Sequence, residues 1–91
     1  MLNIADIAKM YGEALEARNA TEASKERYKL QARALYAQAQ AEADDEAACV
    51  IIERGDEFAE LEDRAERKEI LLDDLVSVLS RAITLWERGE W

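Results

Sequence analysis

The sequence predicts an all-α fold: a long antiparallel helical hairpin with a shorter N-terminal helix packed beside it. Good helix formers dominate the 91 residues, and proline is absent. No alternating β-branched run and no Asn-Gly or Asp-Gly turn indicates a strand. Apolar residues recur at helical spacing along most of the chain. The length allows one domain, residues 1–91.

The first helix is expected over about residues 3–18, with Asn3 as its N-cap. Asn19 or Thr21 offers a second cap, which predicts a break between the first and second helices. A continuous helix over residues 3–54 is the alternative, because no strong helix breaker stands at the predicted break.

The second helix is expected over about residues 21–54, and Gly55 supplies the left-handed residue that ends it. Asp56 then caps a third helix over about residues 56–88, which Gly89 terminates. A turn this short forces the second and third helices into an antiparallel hairpin.

The third helix carries two apolar seams, which indicates contact with two neighbours. Since the second seam starts where the N-terminal helix should fold back, we expect that helix to cover it. The first seam consists of Phe58, Leu61, Ala65, Leu72, Val76, Leu79, Ile83 and Trp86, and the second of Leu71, Leu75, Val78, Ala82 and Leu85.

The second helix has an apolar face left over from the hairpin, and its alanines allow close helix packing. The sequence therefore predicts a homodimer through this face, with a tolerated solvent face as the alternative. The expected contact residues are Ala34, Ala37, Ala41, Ala48 and Ile52.

Acidic residues outnumber basic ones by 21 to 12, giving a net charge of −9. Most of the excess lies in residues 42–69, which the predicted hairpin turns into an acidic knob at its tip. Such a knob either keeps a thin hairpin soluble or faces a partner with a basic surface. The partner-binding candidates are Asp44, Asp45, Glu57, Glu60, Asp63, Glu66 and the terminal Trp91.

One cation interrupts the first seam of the third helix. The predicted turn places Lys68 opposite Glu42 or Glu46 of the facing arm. An ion pair between them is expected to set the register of the two arms.

The composition excludes several kinds of chemistry. Histidine is absent, cysteine occurs once and glycine three times, which leaves no disulfide framework, no Cys/His zinc site and no glycine-rich phosphate loop. No catalytic residue, metal ligand or cofactor is therefore expected. Cys49 is expected to be a small buried thiol.

Two acidic pairs add a further alternative. Glu42-x-x-Asp45 and Glu60-x-x-Asp63 resemble, in their spacing, the paired acids of the all-α nucleoside triphosphate pyrophosphohydrolases. That resemblance implies Mg²⁺-dependent hydrolysis of a nucleotide. The predicted hairpin register, however, leaves the two pairs more than one helical turn apart.

The sequence thus favours a non-enzymatic, cytoplasmic interaction protein that binds another protein. The first alternative is an acidic inhibitor that mimics nucleic acid and blocks a nucleic-acid-handling protein, with a phage or other mobile element as a plausible source. The pyrophosphohydrolase is the second alternative. Direct nucleic-acid binding is not expected because the net charge is repulsive. A membrane is not expected either, since no apolar run is long enough to span one.

Overall fold

Two long helices pack side by side and antiparallel in the computed structural model, which describes residues 3–90. Helix α1 spans Ile4–Ala41 and helix α2 spans Asp45–Glu87. Together they form a rod measuring 67 × 18 × 15 Å. The prediction of an all-α helical hairpin is confirmed, and residues 3–90 contain no strand.

The start of α1 and the end of α2, which both lie at the open end of the hairpin, are capped as the sequence predicts. The Asn3 side chain accepts a hydrogen bond from the Asp6 backbone N–H at 3.0 Å, and the Asp6 carboxylate accepts one from the Asn3 N–H at 3.4 Å. At the end of α2, Gly89 adopts a φ of 74° and the Glu90 N–H donates to the Leu85 carbonyl at 2.9 Å. This geometry is the Schellman arrangement, which glycine favours.

The predicted break at residues 19–21 does not occur. Thr21 lies inside α1, where its hydroxyl donates to the Ala17 carbonyl at 2.8 Å instead of capping a new helix. Its side chain is buried, because this position faces α2. The prediction of a separate, shorter N-terminal helix over about residues 3–18 is therefore wrong, because this segment is the beginning of α1.

The chain reverses at residues 42–44 and not at Gly55, so the predicted hairpin arms 21–54 and 56–88 are wrong. Asp44 caps α2 by accepting a hydrogen bond from the Glu46 N–H at 3.1 Å. The acidic residues that follow it lie in the first turn of α2, where the helix dipole favours negative charge. Gly55 is helical and buried within α2.

The interface follows a heptad pattern, in which core positions alternate at spacings of three and four residues, as in coiled coils. Every position in both series is buried or partly buried. On α1 they are Ile4, Ile7, Tyr11, Ala14, Arg18, Thr21, Lys25, Tyr28, Ala32, Leu35 and Ala39. On α2 they are Ala48, Ile51, Gly55, Phe58, Glu62, Ala65, Glu69, Leu72, Val76, Leu79 and Ile83.

The predicted first seam of the third helix is largely confirmed as the α2 side of this interface. Its apolar centre lies near the open end of the hairpin, where Ile7, Ala14 and Leu79 cluster. Nearer the turn, the rings of Tyr28 and Phe58 stack with their centroids 6.4 Å apart. Two seam members depart from the prediction, because Leu61 and Trp86 are exposed.

The second predicted seam is covered only toward its C-terminal end, where Ala82 packs against the core cluster and Leu85 is partly buried. Leu71, Leu75 and Val78 are exposed over 69%, 42% and 63% of their surface. The N-terminal residues that were expected to cover this seam belong to α1 and pack on the first seam instead. An apolar stripe consequently remains on the outside of the open half of α2.

Candidate interaction surfaces

Charged side chains occupy core positions at the middle of the hairpin. Arg18 Nε of α1 forms an ion pair with the Asp73 carboxylate of α2. Seven residues further along α1, Lys25 Nζ lies 2.9 Å from Glu69 Oε2. The hydrogen bond to Glu69 raises the pKa of Lys25, and the negative charges of Glu69, Glu66 and Glu22 add to this effect. In the middle of the hairpin, these ion pairs take the place of the apolar contacts that form the rest of the interface.

A shallow groove of about 360 Å³ runs beside this polar segment. It combines two cations and several hydroxyl groups with small apolar side chains. Its lining residues are Ala17, Ala20, Thr21, Ser24, Tyr28, Leu61, Arg64, Ala65 and Lys68.

The predicted ion pair between Lys68 and Glu42 or Glu46 is wrong. Lys68 is exposed at the groove, and none of the ion pairs found within residues 3–90 includes it. The reason is the position of the turn: Glu42 belongs to the turn and Glu46 to the first turn of α2, so both lie far from Lys68. Glu69, and not Lys68, lies at the core position of α2, and it pairs with Lys25 of α1.

A close contact between the helices surrounds Gly55. A Cβ atom added to Gly55 would lie 2.7 Å from Cε1 of Tyr36, which is closer than real Cβ atoms come. The Tyr36 hydroxyl donates to Asp56 Oδ1 at 2.6 Å. This hydrogen bond to a carboxylate raises the pKa of Tyr36, and burial and the negative charge of Asp56 act in the same direction.

The acidic partner-binding candidates are exposed, but they do not form a knob. Only the acids of residues 42–46 lie at the tip. The others follow the outer side of α2 toward the middle of the rod, and one of them, Glu60, pairs with Arg64 at 2.7 Å. The exposed candidates are Asp44, Asp45, Glu57, Glu60, Asp63 and Glu66. Trp91 lies outside the described residues.

The predicted alanine face does not exist as one surface, because the turn divides it between the two helices. Ala34, Ala37 and Ala41 are exposed on α1, whereas Ile52 is exposed on α2. Ala48 is partly buried at a core position of the hairpin. A single contact surface through all five residues was inferred from an unbroken helix over 21–54, and that inference is wrong.

The acidic pairs of the pyrophosphohydrolase alternative do not meet. Asp45 and Glu60 lie on the same helix, 15 residues or about 22 Å apart along its axis. Within the described part of the chain, no group of three or more His, Cys, Asp or Glu side chains is arranged to hold a metal ion. Cys49 is exposed, so the prediction of a buried thiol is wrong.

Sequence reasoning missed the polar centre of the interface. The signal that would have revealed it is the alternating spacing of three and four residues, continued through charged residues. Arg18 and Lys25 continue the α1 series, and Glu62 and Glu69 continue the α2 series. A search for apolar seams alone passes over these four positions.

Comparison with family models, curated proteins and solved structures gives no significant match for this chain. Neither α1 nor α2 includes a stretch apolar and long enough to cross a membrane.

Proposed function

We propose that this chain is a non-enzymatic interaction protein that binds another protein through the acidic outer side of α2. The observation that carries the proposal is the exposure of all the acidic candidates that α2 and its cap present. A partner with a basic surface is favoured because complementary charges steer association and set specificity. A homodimer and a cytoplasmic location are parts of the same proposal.

Three of these acids form the centre of the proposed surface. Glu57, Glu60 and Asp63 follow one another at intervals of three residues, or about 4.5 Å along the α2 axis. They are held by a helix that packs against α1 along its whole length, so their spacing is rigid. Cations on a partner therefore meet carboxylates in a fixed row.

The same row favours a second candidate function, mimicry of nucleic acid. Carboxylates at regular intervals along a straight helix resemble a row of phosphates, whose spacing along one DNA strand is about 3.4 Å of helix axis. In that case the partner is a nucleic-acid-handling protein, and its nucleic-acid ligand competes with the chain. If the chain is an ordinary adaptor, added nucleic acid does not compete with it for the partner.

The test is affinity capture of binding proteins from an extract of the producing cells, with mass spectrometry of what is retained. A triple variant with Glu57→Gln, Glu60→Gln and Asp63→Asn is expected to lose the partner. Glu13→Gln, Glu16→Gln and Glu26→Gln make a matched control, because these acids are also exposed but lie on α1. Both variants change the net charge by the same amount.

The proposal requires that the control variant retain the partner and that salt weaken the complex steeply, from about 0.05 to about 0.5 M. Equal loss in both variants would show that net charge alone matters and would contradict a binding surface on α2. Capture that is insensitive to salt would contradict an acidic surface. Added DNA or RNA then distinguishes the mimic from the adaptor.

A further inference from the structure

The open half of α2 carries an apolar stripe whose Leu71, Leu75 and Val78 are exposed, whereas Ala82 and Leu85 are partly buried. Leu71, Leu75, Val78, Ala82 and Leu85 recur at spacings of four and three residues, the pattern of a helix that packs on another helix. The stripe lies beside the core positions that contact α1. Its most exposed members are Leu71 at 69% and Val78 at 63%.

The hairpin also exposes more surface than a protein of its size usually does. Its accessible surface is 6800 Å², whereas a folded monomer of 10.3 kDa exposes about 5,400 Å². That excess is spread along the 67 Å rod, and the stripe occupies about 21 Å of the α2 axis, so a contact through the stripe covers part of it. No large side chain of the described residues is fully buried within a single copy.

Two charges next to the stripe have no counter-ion within residues 3–90. Asp74 and Arg81 lie on the side of the stripe away from α1, seven residues apart. Neither takes part in the ion pairs found within residues 3–90. Neither has a charged neighbour three or four residues away in sequence, where helix neighbours interact.

We propose that a second copy of this chain covers the stripe, with the two α2 helices antiparallel about a two-fold axis at Val78. This arrangement places Leu71 against the partner's Leu85 and Leu75 against the partner's Ala82, so that large residues meet small ones at two of the layers. Asp74 then lies level with the partner's Arg81, and symmetry produces this ion pair twice. Residues 69–87 of the two α2 helices overlap, and there they form a four-helix bundle with the facing parts of the two α1 helices.

The charges select this orientation. If the two α2 helices were parallel, each flanking residue would lie level with its own copy but on the opposite flank of the contact, so Asp74 and Arg81 would gain no counter-ion. In the antiparallel arrangement, Asp74 and the partner's Arg81 lie on the same flank and at nearly the same height. Of the two arrangements, only the antiparallel one pairs these charges.

The inference rests on the proposed function only in its homodimer part. It concerns a different face from the acidic row and is tested on the purified chain alone. Partner capture and self-association are therefore measured separately, and a negative result for one leaves the other unaffected.

The first test measures the mass in solution by sedimentation equilibrium, at concentrations from about 1 to 100 µM, which detects a dimer with a micromolar dissociation constant. The wild type is expected at twice the chain mass of 10.3 kDa. Leu71→Glu with Val78→Glu is expected to weaken dimerisation by roughly a hundredfold or more, since it places charges in a desolvated contact. Circular dichroism verifies that this variant keeps its helical content.

A matched control places the same two charges on apolar residues of similar exposure elsewhere. Leu30 and Val50 are exposed over 56% and 57% of their surface and lie on the half of the rod that contains the turn. Leu30→Glu with Val50→Glu is expected to remain dimeric. A monomeric wild type at about 100 µM, or equal dissociation of both variants, would overturn the proposal.

A charge swap tests the orientation. Asp74→Arg alone and Arg81→Asp alone each bring like charges together in the antiparallel dimer and are expected to weaken it. The double variant Asp74→Arg with Arg81→Asp restores the opposite charges and is expected to recover the dimer. Absence of recovery would contradict the antiparallel arrangement.

Crosslinking locates the two-fold axis. In a Cys49→Ser background, Val78→Cys is expected to form a disulfide-linked dimer on mild oxidation, because the two copies of residue 78 face each other. Ser77→Cys is the control, since residue 77 is exposed at the same height but points about 120° away from the centre of the stripe. Crosslinking at 77 and not at 78 would refute the proposed face.

Discussion

At the scale of single residues, Gly55 is the position whose role depends most on its surroundings. A glycine inside a helix costs about 1 kcal/mol relative to alanine. Here the missing side chain makes room for the Tyr36 ring, whose Cε1 would lie only 2.7 Å from a Cβ atom at this position. Tyr36 is in turn held by its hydrogen bond to Asp56, the residue after Gly55. Glycine at position 55 therefore allows this packing, which a larger residue would obstruct.

A double-mutant cycle tests that explanation. With Tyr36→Ala already present, Gly55→Ala is expected to stabilise the hairpin by about 1 kcal/mol, the gain in helix propensity. In the wild type the same change is expected to lose this gain, because the Tyr36 ring must move. Urea unfolding followed by circular dichroism measures all four variants. An equal gain in both backgrounds would show that the ring does not restrict position 55.

At the scale of elements, α1 and α2 depend on each other because their core positions include charges. Lys25 of α1 and Glu69 of α2 pair across the interface. A pair of this kind mainly specifies alignment, since removing one partner leaves the other without a counter-ion. The charged positions in the middle of the hairpin therefore fix the alignment of the two helices more than they stabilise the hairpin by burying apolar surface.

Substitution of the pair tests its role in alignment. Lys25→Met is expected to lower the melting temperature, because Glu69 then lies partly buried without its counter-ion. Lys25→Met with Glu69→Leu is expected to recover most of the loss through apolar packing. Lys9→Met is the control, since Lys9 is exposed on α1. Equal melting temperatures for the Lys25 and Lys9 variants would contradict a structural role for the pair.

At the scale of the whole molecule, two contacts between α1 and α2 titrate at alkaline pH. The pKa of Lys25 is raised from 10.5 by Glu69, and that of Tyr36 is raised from 10.0 by Asp56. A pKa that is higher in the folded state adds stability below the unfolded value, and this stability disappears as the pH rises through the folded value. Both contacts therefore favour the hairpin at neutral pH.

The free energy of unfolding is expected to fall as the pH rises above the range 10.0–10.5. The double variant Lys25→Met with Tyr36→Phe is expected to lose less stability over the same range, because the two raised pKa values are gone. Urea unfolding at about pH 8 and about pH 11, at one protein concentration, makes the comparison. The same loss in both proteins would show that these contacts do not control the alkaline transition.

The sequence by itself determined the helical content and the two helix termini at the open end of the hairpin. Asn3 caps α1 and Gly89 ends α2 through hydrogen bonds to residues at most five positions away. Propensities and caps of this kind are properties of a short segment, so they can be read from that segment alone. The exposure of the acidic partner-binding candidates on α2 was predictable too, since charged residues avoid burial without a partner.

The tertiary structure alone decided the turn, the register and the surfaces. Thr21 and Gly55 match local signals for a helix end, yet both lie inside helices because α1 and α2 bury them against each other. Residues 42–44 contain no glycine or proline, and the chain reverses there because the two heptad series then align along their full length. Contacts between distant residues outweigh local preferences, since packing contributes most of the stability of a helix in a protein.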